Sequence, residues 1–138
     1  MTNSSLQVAI NDVNRQNPWW QDTHVMAEDP QKPIRDIYND VWRRITQDHL
    51  ITAIVGLRRI GKTTLIKQVI NQLFTIIDRK RILLYSFDEA GISPNVSLME
   101  QIIETKMREF SDGALYFFFD EVQYVDGWNA CLKKYVDL

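Results

Sequence analysis

The sequence has little that would suit a secreted, membrane-spanning or nucleic-acid-coating protein. It contains one cysteine in 138 residues, so no disulfide can form within the chain and a reducing cytoplasm is the expected compartment. No apolar run approaches the roughly 18 residues that a membrane-spanning helix needs. A formal net charge of −2 does not indicate a nucleic-acid partner.

Glycine is also scarce, with five residues in the chain, yet two of them belong to one motif. The stretch GLRRIGKT has the spacing G-x-x-x-x-G-K-[ST], with Gly56, Gly61, Lys62 and Thr63 at the defining positions. Glycine lets the main chain approach a ligand closely, and successive N–H groups at a helix N-terminus can hold phosphate oxygens. Lysine adds a point charge for the β- and γ-phosphates, and threonine offers a hydroxyl to Mg²⁺. The predicted nucleotide-binding residues are Gly56, Leu57, Arg58, Arg59, Ile60, Gly61, Lys62, Thr63 and Thr64.

Apolar periodicity predicts an α/β domain around this loop. The alternation of strands and helices is typical of a parallel sheet with helices on both faces, as in the three-layer sandwich of P-loop NTPases. One helix start carries a capping-box pattern, with Ser97 as the N-cap and Glu100 three residues later. Residues 1–33 are polar and broken by prolines, and we predict an irregular arm there, followed by a P-loop domain over residues 34–138. The predicted strands are 50–55, 81–87 and 114–119, and the predicted helices are 34–45, 65–77, 97–110 and 128–138.

The sequence offers two acids for the metal that accompanies a nucleotide. A P-loop enzyme needs an acid at the end of another strand for the Mg²⁺ shell. Asp88 would serve if its strand lay directly beside the strand of the glycine loop. We prefer Asp120, because its strand is the more continuously apolar and suits a central position in the sheet. Thr63 and Asp120 then form the predicted metal site. Glu121 is the predicted catalytic acid that orients the attacking water, with Lys62 as the second catalytic residue.

Three stretches of the chain together resemble a known family. They are IVGLRRIGKTTLIKQVI, LLYSFDE and LYFFFDEVQYVDGWNACLKKYVD. They resemble the prokaryotic, archaeal-like AAA-type P-loop ATPases that are often fused to a C-terminal nuclease-like domain of unknown function. The resemblance implies ATP and Mg²⁺ as cofactors and hydrolysis of ATP. It also implies that Gln123 senses the γ-phosphate or helps to fix the loop. In agreement with ATP, the chain has no N-K-x-D motif for reading guanine.

The resemblance further implies that the sheet is incomplete. Members of the family continue with a strand that lies between the P-loop strand and the Asp120 strand. We therefore expect a truncated N-terminal portion that binds nucleotide, with hydrolysis in the complete form. The expected partners are the nucleotide and a homo-oligomer or second chain that completes the sheet. No arginine finger can be assigned.

Two other functions stay open at this point. The first is a nucleotide-binding or interaction fragment that hydrolyses nothing. The second is a small kinase-like phosphotransferase that uses Asp88. In the arm, we expect Trp19 and Trp20 to cover a neighbouring surface, and the alternative is that they grip a base or a partner chain.

Overall fold

A computed structural model describes residues 3–30, 38–40, 42–43, 51–54, 62–88 and 93–136. Each predicted strand is found, and so is each helix predicted from residue 62 onward. Residues 38–40 and 42–43 are also helical, within the helix predicted over 34–45. No helix in the described ranges is long and apolar enough to cross a bilayer. In chain order the elements are α1 (Asn3–Gln16), a 3₁₀ turn (Pro18–Trp20), β1 (Ile51–Ile54), α2 (Lys62–Leu73), β2 (Ile82–Ser86), α3 (Val96–Arg108), β3 (Tyr116–Asp120), a 3₁₀ turn (Val122–Tyr124) and α4 (Trp128–Val136).

The three strands form a parallel sheet in the order β1–β3–β2. At its carboxyl edge, Asp120 of β3 is level with Ile54 of β1 and Ser86 of β2. In this chain β1 and β3 pair directly, so the two halves of the predicted site share one ladder, and the further strand that the resemblance places between them stays a prediction.

Apolar side chains cover both faces of this sheet. Alternation along β3 sends Phe118 to one face and both Phe117 and Phe119 to the other. Each such fully buried side chain contributes roughly 1.5–3 kcal/mol to folding. The first face packs against α2, and the second packs against α1, α3 and α4. The predicted α/β arrangement of a parallel sheet between helices is therefore confirmed. The buried residues of the first face are Trp19, Ile66, Val69, Ile70, Leu73, Ile82, Leu84 and Phe118.

The irregular arm predicted for residues 1–33 is wrong for Asn3–Gln16, which form α1. This helix packs on β2, and part of its buried side is polar. Asp12 is 6% exposed, and its Oδ2 lies 3.5 Å from the Tyr85 hydroxyl that donates to it. Burial, followed by the Asp12 carboxylate, raises the pKa of Tyr85. The periodic apolar residues of α1, among them Leu6, Ala9 and Val13, are few and stand among polar ones, so periodicity alone gives a weak helix signal.

The outer edge of β2 is closed by side-chain amides rather than by a strand. The Gln16 amide accepts from the Ser86 N–H at 2.6 Å and donates to the Ser86 carbonyl at 3.3 Å. The Asn17 amide makes the same pair of bonds with Leu84, at 2.7 and 2.8 Å. Each amide therefore replaces one peptide group of a neighbouring strand. This pairing satisfies backbone groups that an open edge would offer to another chain.

Two indoles continue the same edge contact. Trp19 and Trp20 both donate their ring N–H to the carbonyl of Ile82, at 3.2 and 2.7 Å. Trp19 is 2% exposed, and its ring lies 5.7 Å from that of Phe74. The expectation that the two tryptophans cover a neighbouring surface is confirmed. We call Gln16, Asn17, Trp19 and Trp20 the edge cap.

The predicted capping box at the start of α3 is wrong. The N-cap is Asn95, whose side-chain oxygen accepts from the Leu98 N–H at 2.8 Å. Ser97 lies inside the first turn of the helix, where its backbone is helical. Asparagine and serine cap helices about equally well, so tertiary packing rather than local preference decides between them.

Candidate functional site

The glycine loop lies mostly outside the described residues. The structure does describe the elements on either side: β1 ends at Ile54 and α2 begins at Lys62. The loop therefore joins the carboxyl end of a parallel strand to the N-terminus of a helix, where backbone N–H groups can meet phosphate. The side chain of Lys62 is also outside the described part of the chain. The predicted contacts of Gly56, Leu57, Arg58, Arg59, Ile60 and Gly61 stay predictions.

The threonine of the loop and the acid of β3 come together. Thr63, in the first turn of α2, donates its hydroxyl hydrogen to Oδ2 of Asp120 at 2.8 Å. Asp120 is the last residue of β3 and is 2% exposed, whereas Thr63 is exposed. The direct pairing of β1 with β3 places the two residues, 57 positions apart in sequence, at one edge of the sheet. Thr64, next along α2, is half-buried.

This pair of oxygens fits a magnesium ion that is shared with a nucleotide. Mg²⁺ prefers oxygen ligands, and it is usually held by one or two protein groups together with substrate phosphates. Within the described ranges, no cluster of three or more histidine, cysteine, aspartate or glutamate residues could hold a metal by itself. Thr63 and Asp120 supply one hydroxyl and one carboxylate, which leaves the remaining coordination positions of a magnesium ion to phosphate and water.

Glu121 has a left-handed backbone, which is rare for a residue other than glycine. Its φ of 59° and ψ of 40° place it in the left-handed region, and it is the only non-glycine residue with a positive φ in the described ranges. Such a conformation typically costs on the order of 1–3 kcal/mol and is often found at functional sites. The side chain is 4% exposed, and Oε2 accepts a hydrogen bond from the Gln123 amide. The acid next to Asp120 is therefore buried and held in one orientation.

Gln123 lies in the 3₁₀ turn that follows Glu121. Of the two roles that the resemblance implied, its hydrogen bond to Glu121 agrees with fixing the loop. Val122, 0% exposed, anchors the same turn in the core. Trp128, at the start of α4, packs against the core, as expected of an anchor for the last helix.

Asp88, the alternative acid, is placed differently. Its strand does not adjoin β1, because β3 lies between them. Ser86 is the residue level with Asp120, so Asp88 lies two positions beyond the matched end of the sheet. The ladder continues through one more bond, from the Phe87 N–H to the Asp120 carbonyl at 3.1 Å. Asp88 itself is exposed.

A cleft of about 240 Å³ opens at the carboxyl ends of β2 and β3. Its lining includes Thr63 and the three acids of the two strand ends, together with two cations from helices. One cation is Lys67, a turn after Thr63 on α2, and helix periodicity could have found it. The other is Arg15 of α1, for which the sequence carries no signal, since α1 itself was not predicted. The charged residues of the lining are Arg15, Lys67, Asp88, Asp120 and Glu121.

Comparison with known proteins agrees with this geometry. Residues 48–138 match the sequence model of a family described as "AAA domain". The chain is also similar to the uncharacterized protein MJ1637 of Methanocaldococcus jannaschii, with 31% identity over 85 residues. That alignment covers 59% of this chain and 18% of the archaeal protein, so the chain spans less than a fifth of that relative's length. No solved structure matches the chain.

Proposed function

The chain belongs to the AAA domain family, and on that premise we propose that it binds ATP with Mg²⁺ and that its complete form hydrolyses the β–γ anhydride. Family membership supports a nucleotide-binding, ATPase-like function. The observation that carries the finer proposal is the hydrogen bond from Thr63 to Asp120. It joins the last residue of the glycine motif to the acid of the neighbouring strand.

Binding relies on the backbone of the loop and on one ammonium group. The N–H groups of residues 56–61 and the N-terminus of α2 direct positive partial charge at the phosphates. Lys62 neutralises charge on the β- and γ-phosphates. Thr63 and Asp120 would hold Mg²⁺, which when bound offsets the charge that develops on the phosphate oxygens.

Glu121 supplies the acid–base step of hydrolysis. Its carboxylate accepts a proton from the water whose oxygen forms the new bond to the γ-phosphorus. The bond from that phosphorus to the bridging oxygen breaks, and ADP leaves with the electron pair. Gln123 positions the carboxylate through the hydrogen bond to Oε2. The left-handed backbone at Glu121 and its place in the lining of the cleft support this role, because strained conformations are often found at functional sites.

The sheet order supports hydrolysis over phosphotransfer through Asp88. A kinase-like use of Asp88 requires its strand to adjoin the strand of the loop, and β3 takes that place. A fragment that binds nucleotide without hydrolysis shares the phosphate contacts of this proposal. Measuring ATP turnover therefore distinguishes hydrolysis from binding alone, whereas measuring ATP binding tests the site itself.

Calorimetric titration of ATP with Mg²⁺ tests the site. Lys62→Ala removes a cation from the phosphates, and since hydrogen bonds to charged groups contribute roughly 1.5–3 kcal/mol, we expect ATP affinity to fall at least about 10- to 100-fold. Lys133→Ala, an exposed lysine of α4, is the matched control and should bind as the wild type does. Equal ATP affinity in Lys62→Ala and the wild type would contradict the assignment of the glycine loop as a phosphate-binding loop.

A further inference from the structure

Arg15 brings a cation from the N-terminal helix to the cleft at the strand ends. It lines the cleft together with Thr63, Asp120 and Glu121. Its side chain is 56% exposed and lies 3.3 Å from Asp12, three residues earlier on the same helix. Asp12 is buried, at 9% side-chain exposure, whereas most of the Arg15 side chain faces solvent. A guanidinium group carries five N–H donors, so Arg15 can keep Asp12 as a partner and still donate to a more highly charged anion.

The backbone that carries Arg15 is fixed to the sheet. The next two residues, Gln16 and Asn17, bond through their amides to Ser86 and Leu84 of β2. Only the side chain of Arg15 needs to move, and a rigid backbone beneath a functional side chain lowers the cost of placing it. The edge cap thus sets the distance from Arg15 to the carboxyl end of the sheet.

The chemistry of the cleft indicates which anion Arg15 would meet. Asp120 and Glu121 are the groups assigned above to the metal and to the attacking water, and both of these act at the terminal phosphate. The planar fork of a guanidinium group matches two oxygens of one phosphate. A cation entering from α1 therefore faces the γ-phosphate end of the nucleotide.

We propose that Arg15 binds the γ-phosphate of ATP, so that the N-terminal helix forms part of the nucleotide site and distinguishes ATP from ADP. The inference rests on the proposed function. It assigns a role to α1 and the edge cap beyond folding, since their contact with β2 holds Arg15 at the cleft. ADP lacks the γ-phosphate and would lose this contact, while it would keep those of the glycine loop.

Calorimetric titration of the full chain with ATP and with ADP, both with Mg²⁺, tests the inference. In Arg15→Ala we expect ATP affinity to fall about 10- to 100-fold, because a charged hydrogen-bonded contact is lost, while ADP affinity changes little. Arg15→Lys keeps the positive charge but loses the planar fork, so its ATP affinity should lie between that of the wild type and that of Arg15→Ala. The matched control is Arg108→Ala on α3, an exposed arginine outside the cleft lining, which should alter neither affinity.

The ratio of the two affinities separates a phosphate contact from a structural role. A fall of equal size for ATP and ADP would overturn the inference, and so would unchanged ATP affinity. If Arg15→Ala does not fold, Arg15→Lys decides, and a wild-type ratio in that variant would overturn the inference. A wild-type chain that binds no ATP would overturn both proposals. If the wild type binds ATP normally and the Arg15 variants bind it equally well, only the inference about Arg15 would be overturned.

Discussion

One tripeptide, Phe-Asp-Glu, ends two neighbouring strands of this protein, and its two copies have different surroundings. In residues 119–121, Asp120 is the last residue of β3, is 2% exposed and accepts a hydrogen bond from Thr63. In residues 87–89, Asp88 is exposed and lies two positions beyond the end of β2. The same local sequence therefore gives one buried acid beside the glycine motif and one acid at the rim of the cleft.

Strand pairing accounts for the difference. Ser86, not Asp88, is level with Asp120, and β3 rather than β2 adjoins β1. A residue's place along a strand decides which face or edge it occupies, and a shift of register changes its surroundings completely. An acid at a strand end thus takes its role from the strands on either side.

The largest expected effect is on ATP turnover, and it is tested by comparing the glutamates of the two tripeptides. Glu121→Gln removes the group that accepts the proton of the attacking water. We expect phosphate release to slow about 10²- to 10⁴-fold, as loss of a general base typically causes, while ATP affinity changes little. Glu89→Gln is the matched control and should keep turnover. Equal losses in the two variants, or full turnover in Glu121→Gln, would contradict the assignment.

A smaller effect is expected where β2 meets the edge cap. Asn17→Ala leaves the buried N–H and carbonyl of Leu84 without their amide partner. We expect the free energy of unfolding to fall by roughly 2–6 kcal/mol, because two buried groups lose their partner and each unsatisfied group costs about 1–3 kcal/mol. Urea unfolding measures this loss, with Asn14→Ala, an exposed asparagine near the end of α1, as the control. Similar unfolding midpoints for the two variants would mean that the cap does not hold the strand.

The smallest effect is expected in α3, the helix that follows residues 87–89. Asn95→Ala should lower the free energy of unfolding by about 1 kcal/mol, because the Leu98 N–H loses its cap. Ser97→Ala should cost less than that, since its hydroxyl is not the cap of α3. Thermal unfolding of the two variants compares them directly. A larger loss in Ser97→Ala would restore the capping box that the sequence suggested.

Much of the domain from β1 onward could be predicted because its signals are local. Apolar runs such as YFFF in β3 and three- to four-residue periodicity in α2 are properties of short windows. The glycine motif is local as well, and the apolar character of the third strand was enough to favour Asp120 over Asp88. These predictions depend on residues that are close in sequence.

The features that were missed depend on contacts between distant residues. The helix α1 carries only a short apolar stripe among many polar residues, and its buried polar contacts, from Asp12 and Gln16 to β2, join residues that are distant in sequence. The pairing of β1 with β3 is also a long-range choice, which local patterns do not reveal. Arg15 could not be singled out, since one arginine on an unrecognised helix carries no pattern.

The dependence of ATP affinity on Mg²⁺ in Asp120→Asn and Asp88→Asn tests the central claim most directly. The account predicts that Mg²⁺ strengthens ATP binding in the wild type and in Asp88→Asn. In Asp120→Asn that gain should fall by about 10- to 100-fold, as changes around a metal's ligands typically cause. Loss of the gain in Asp88→Asn, with Asp120→Asn behaving as the wild type, would contradict the account.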